Sequence, residues 1–116
     1  MLWIRVAAVV GFLAVAFGAF GAHALRDRVA PNLLSAYQTG VLYHLVHAAA
    51  LLSLALFARA TSASITWPAV LWLAGMALFS GSLYAMALTG ATKLGMITPF
   101  GGLCLLGGWA ALILVR

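Results

Sequence analysis

The sequence predicts an all-α fold: an integral membrane four-helix bundle with short loops and antiparallel, up-down topology. Composition is the first reason. Of 116 residues, 66% are hydrophobic and 6% are charged, with a mean hydropathy of +1.18. A soluble domain carries roughly 25% charged residues to cover its surface. Spacing is the second reason. The charged and small-polar residues cut the chain into four apolar runs, each near the ~20 residues that cross a bilayer. Nothing is left over for a soluble domain, so residues 1–116 are expected to form one four-span unit.

The first span is expected over about 2–25, broken by Arg5 and ended at the interface by Arg26, Asp27 and Arg28. Ala22-His23-Ala24 imitates a signal-peptidase site, but the apolar run is too long for a signal core, so no cleavage is expected. Pro31 suits the first turn of a second helix, where its missing N–H costs nothing. That helix reaches to about Ala58, with the span itself over about 36–58. A small-polar connection, Arg59 to Thr66, leads to a third span over about 67–89, with Trp67 and Trp72 expected as an interfacial aromatic belt. Thr98 is the expected N-cap, and Pro99 the first helical residue, of a fourth span over about 98–116.

Small residues at alternating steps of three and four suggest how these helices pack, because small side chains let backbones approach in a bilayer. Ala7, Gly11, Ala14, Gly18, Gly21 and Leu25 draw such a stripe on the first helix. Ala36, Gly40, Tyr43, His47, Ala50 and Leu54 draw one on the second. Ala77, Gly81 and Ala85 form a ladder on the third, and Gly101, Cys104 and Gly108 mark the fourth.

The chemistry worth following is a set of polar residues inside the apolar runs, where hydrocarbon offers no water to bind them. With four spans the first and third loops share a side of the membrane, so spacing assigns these residues a depth. His23, Gln38, Tyr43, His44, His47, Ser80, Ser82, Tyr84 and Thr98 all fall in the half of the membrane nearest those loops. The expectation is one polar pocket opening toward that side, with His47 on the packing stripe.

The same segments carry a family resemblance. Gly18-Ala19-Phe20-Gly21-Ala22-His23, then Gln38-Thr39-Gly40 with Tyr43 and His47, then Leu78-Phe79-Ser80-Gly81-Ser82-Leu83-Tyr84, then Thr98-Pro99-Phe100-Gly101-Gly102 and Gly108-Trp109 occur in that order. Together they resemble the YgdD-like small membrane proteins, domain of unknown function 423, with relatives called transmembrane protein 256. The resemblance spans nearly the whole chain. It implies a four-helix integral membrane protein and no particular activity.

Several function classes can be weighed against these residues. His44 and His47, three apart, are weak metal candidates, with His23 and Met86 or Met96 as further ligands. A closed zinc site wants four ligands, and the single Cys104 reads as a buried packer, so no metal and no cofactor are expected. Haem would need a second deep histidine on another helix. A proton-linked transporter would want an embedded carboxylate, and the one acid, Asp27, sits in a loop. Ser80 or Ser82 with His47 lacks a carboxylate to orient the imidazole, so an enzyme is not expected. The net charge of +5 is scattered singly, which excludes a nucleic-acid surface.

Two readings stay open: a structural or accessory subunit or homo-oligomer, partnered by the bilayer and a larger complex, and a binding protein for a lipid, quinone-like or other amphiphile. Lys and Arg tie at three on each side, and Arg5 with the amino terminus points to both termini in the cytoplasm, in a cell inner membrane.

Overall fold

The computed structural model describes residues 2–115, all helical or in short connections. The first helix, α1, runs over Leu2–Phe20 and continues through a wider π-helical turn, Gly21–Leu25. The second, α2, spans Pro31–Thr61, and its 31 residues make it ~46 Å long, matching the 47 Å long axis of the molecule. It opens on Pro31 as expected, and Ser62 in a left-handed conformation (φ 59°) closes it by donating its N–H to the Ala58 carbonyl. The third, α3, spans Thr66–Thr89 and ends on Gly90 at φ 74°, a conformation that a side chain would strain. A 3₁₀ turn at Thr92–Met96 leads into α4, Thr98–Leu112. All four helices are long and apolar enough to cross a membrane, the last when its 3₁₀ turn is included.

The paired positions run in opposite order from one helix to the next, as an up-down arrangement requires. Gly18 and Gly21 of α1 meet Val41 and Tyr37 of α2. Gly40, Tyr43 and His47 of α2 meet Tyr84, Phe79 and Trp72 of α3. Phe79, Gly75 and Trp72 of α3 meet Gly101, Leu105 and Gly108 of α4. Each close approach joins consecutive helices. The assembly is therefore open and flattened, 26 Å by 16 Å in cross-section, with grooves where α1 faces α3 and where α2 faces α4.

The tightest seam is α3 against α4, and its side chains alternate large and small. A Cβ on Gly101 would fall on the Phe79 backbone, one on Gly75 within 2.6 Å of Leu105, and one on Gly108 on the Trp72 ring. Where one helix presents bulk the other presents glycine, so the backbones close up and dispersion replaces the absent hydrophobic drive.

Packing differs from the expected stripes in three respects. On α2 Gly40, His47 and Leu54 of the expected line are buried, but Tyr37, His44 and Leu51 take the places of Ala36, Tyr43 and Ala50, with Ala48 and Ala55 buried beside them. Gly11 and Gly81 have open space where a Cβ would stand, so neither is a packing glycine, and Ala77 of the same α3 ladder is exposed. Trp72 is not in an aromatic belt: it is 1% exposed, at the centre of a cluster with Leu51, Met76 and Leu105. Hydropathy alone does not say which apolar face meets protein rather than lipid, since both are equally apolar. Gly81→Ala is accordingly expected to leave the unfolding midpoint in detergent unchanged within about 0.5 kcal/mol, read by thermal circular dichroism.

Candidate functional site

The intramembrane polar residues do not share one pocket. They form separate sets on different sides of the α2–α3 pair, because His44 and His47 are three residues apart and point about 60° apart around α2.

The first set lies between α1, α2 and α3. Tyr37, fully buried, donates its hydroxyl to the Phe17 carbonyl at 2.6 Å. The Tyr84 hydroxyl lies 2.9 Å from His44 Nδ1, and Ser80 donates to the Gly40 carbonyl at 2.7 Å. The Phe17 and Tyr84 rings stack with centroids 4.5 Å apart, and Tyr37 tilts against Tyr84 at 4.9 Å. Glycine makes room for this: Gly21 faces the Tyr37 ring, and a Cβ on Gly40 would stand 3.0 Å from the Tyr84 ring. Each hydroxyl therefore serves as a tie between two helices, in a region where an unmade bond would be costly.

The second set lies between α2, α3 and α4 and turns on His47. Its Nδ1 is 2.8 Å from the Tyr43 carbonyl one turn back, and its Nε2 accepts from Trp109 Nε1 at 3.0 Å. Indole N–H only donates, so Nε2 must be an acceptor and the proton must sit on Nδ1, where it is donated to Tyr43. One tautomer, uncharged, satisfies both bonds. Trp109 thereby ties α4 to α2, two helices that do not otherwise approach closely. The Trp72 and Trp109 rings both stand steeply inclined to the His47 ring (74° and 69°), with centroids 5.9 Å from it.

A third tie joins α3 to α4. The Ser82 and Thr98 hydroxyls are hydrogen-bonded, and Ser82 also reaches the Phe79 carbonyl at 2.9 Å. Thr98 is thus no N-cap: Ile97 precedes the helix, no side chain caps it, and the threonine hydroxyl is turned toward α3.

Of the sequence-derived site residues, His44, His47, Ser80, Ser82 and Tyr84 are buried and take part in these ties, with Thr98 half-buried beside them. His23 and Gln38 are exposed and join none of the sets. Tyr43 is 41% exposed, lying over Phe79 at 4.6 Å with its carbonyl, rather than its hydroxyl, engaged by His47. His44 and His47 face different grooves, so they do not converge on one ion, and no cluster of three metal-ligating side chains occurs among the described residues. In the sequence Trp109 and Trp72 have no place among the site residues, the one occurring only in a motif and the other expected in an aromatic belt, and Gly75 is unmarked. The indole N–H is invisible to hydropathy, and Gly75 belongs to no ladder; the Gly108-Trp109 pair alone hinted at the α4 partner.

Comparison with known proteins agrees with this architecture. No solved structure matches the chain. The UPF0382 inner membrane protein YgdD of Escherichia coli K12 is 41% identical over 108 residues, covering 92% of this chain and 82% of that protein. The UPF0382 membrane protein YwdK of Bacillus subtilis is 40% identical over 114 residues, covering 97% and 93%. The UPF0382 membrane protein SAB0533 of Staphylococcus aureus is 39% identical over 113 residues, covering 97% and 93%. These are membrane proteins whose names carry no activity, in keeping with four helices that place this chain in a lipid bilayer. A family model described as a protein of unknown function, DUF423, matches residues 17–102, which include the first and third sets of interhelical ties and His47 but not Trp109, and the chain belongs to that family.

Proposed function

We propose that the chain is a structural or accessory membrane protein, without catalytic activity, whose intramembrane polar groups hold its helices in an open arrangement that meets a second copy or a larger complex. The observation that carries this reading is the state of His47. Both ring nitrogens are engaged, one by its own helix and one by Trp109, so neither is free to bind a metal or relay a proton. The serines support the same reading: Ser80 is bonded to a backbone carbonyl, and Ser82 to a carbonyl and Thr98, and neither is aligned with a base. The apolar outer faces of α1 and α4, including Phe12, Val15, Leu103 and Leu106, are the surfaces such partners would cover. Both termini on the cytoplasmic side of an inner membrane complete the proposal, and labelling of a tag at the carboxyl end checks that part.

The decisive experiment compares purified wild type with His47→Ala. The variant is expected to insert and keep its helix content but unfold several degrees earlier, with no metal in either protein. Unchanged stability together with loss of a bound metal would reverse the reading.

A further inference from the structure

The fold sorts the Lys and Arg residues to the two ends of the bundle. At one end Trp3, Ala58, Ile65 and Val115 belong to a single apolar cluster, which brings Arg5 and Arg59 together there. Arg116 follows Val115 in the sequence. At the other end Leu25, Val29 and Ala87 pack together, which places Arg26 and Arg28. Lys93 joins them from the 3₁₀ turn, whose Gly95 faces Met86 of α3. Arg5, Arg26, Arg28, Arg59 and Lys93 are all exposed.

Lys and Arg in short connections resist translocation across the membrane, and their imbalance sets the orientation of a bundle, with acids contributing little. The connections here are short at both ends, residues 26–30 and 90–97 at one and 62–65 at the other. Within the 116 residues each end carries three cations. Moving either end across the membrane therefore moves the same charge against the same potential. The fold does not break this balance. Its ties, from Tyr37 to Phe17, His44 to Tyr84, Ser80 to Gly40, Ser82 to Thr98 and Trp109 to His47, are all made within the chain. They form equally well whichever end faces the cytoplasm.

We propose that the chain inserts into the membrane in both orientations, in comparable amounts and with the same fold. The proposal goes beyond the accessory reading and does not depend on it. The orientation with both termini in the cytoplasm becomes one of two that coexist, and a second copy is available upright or inverted.

The test uses the full chain with Cys104→Ala and one reporter thiol, Ala60→Cys at one end or Asn32→Cys at the other, both at exposed positions. A membrane-impermeant maleimide is applied to bacterial spheroplasts that express it, and detergent then opens the membrane to show that every thiol is reactive. From outside, each thiol is expected to react in part of the molecules, the two fractions adding to the whole. Ser64→Arg adds a cation to the Ala60 end, and Ala91→Arg adds one to the Asn32 end, again at exposed positions. The first is expected to hold Ala60→Cys inside and leave Asn32→Cys outside, and the second the reverse, each by about tenfold or more. Outside labelling confined to one thiol of the parent chain would overturn the proposal, and so would a split that neither arginine moves. Labelling of Asn32→Cys alone would overturn this proposal and keep the cytoplasmic termini; labelling of Ala60→Cys alone would overturn both. The stability of His47→Ala is a separate readout, so failure here and failure of the accessory reading are distinguishable.

Discussion

Gly101→Ala is expected to be the most damaging single-methyl addition in the protein. The new Cβ would stand within 2.7 Å of Phe79 Cα and 2.8 Å of the Leu78 carbonyl carbon. Both are backbone atoms of α3, which cannot rotate aside as a side-chain tip can. The helices must separate, and separation also withdraws Leu105 from Gly75 and Gly108 from Trp72 along the same seam. Overpacking costs typically 1–3 kcal/mol, and this site belongs at or above the upper end. Thermal unfolding in detergent should show a midpoint many degrees below wild type, or no folded protein. Gly81→Ala adds the same methyl to α3 where space is open, and it is the control. If the two variants were equally stable, the close α3–α4 seam would be wrong.

The second large effect is expected at the His47–Trp109 tie. His47→Ala removes a buried ring, leaves the Trp109 donor without an acceptor, and opens a void against Trp72. Cavity formation and the unpaired donor together suggest a loss of about 2–4 kcal/mol. Trp109→Phe removes the donor and part of the ring area. Because the two residues share one bond, their effects should not add. A double-mutant cycle should return a coupling of about 0.5–1.7 kcal/mol, the range of hydrogen bonds between membrane helices. Additive losses would mean the bond contributes nothing and the residues act only as bulk.

The helices were legible because hydropathy and helix-ending residues are local signals. Pro31 and Gly90 act where they stand, whatever lies across the fold. The identity of the polar residues was legible too, since His44, His47, Ser80, Ser82 and Tyr84 stand out against Leu, Ala and Val. Their grouping was not. A one-residue change at alternate positions of the α2 stripe exchanges Tyr43 for His44 while Gly40 and His47 stay, and sequence spacing tolerates either, because Tyr43 and His47 or His44 and His47 step equally well along a helix. What decides is which neighbour leaves room: Gly40 admits the Tyr84 ring on one side, and Gly108 admits Trp72 on the other. The single pocket expected from depth alone thus divides, since residues at similar depth face different helices. The tie made by Trp109 was hidden for a further reason. Its N–H is one polar atom on a large apolar ring, and its importance follows only from His47 offering a lone pair across the groove.

His47 is held by two hydrogen bonds rather than kept available for a ligand or a proton. Nitrogen-15 NMR of the histidine rings, with His23→Gln and His44→Gln variants to assign the signals, tests this directly in nanodiscs. The predicted result is a single uncharged His47 ring with its proton on Nδ1 and an unprotonated Nε2 that accepts a hydrogen bond, the latter weakened in Trp109→Phe. A proton on Nε2, a doubly protonated ring, or a metal-shifted nitrogen would contradict it.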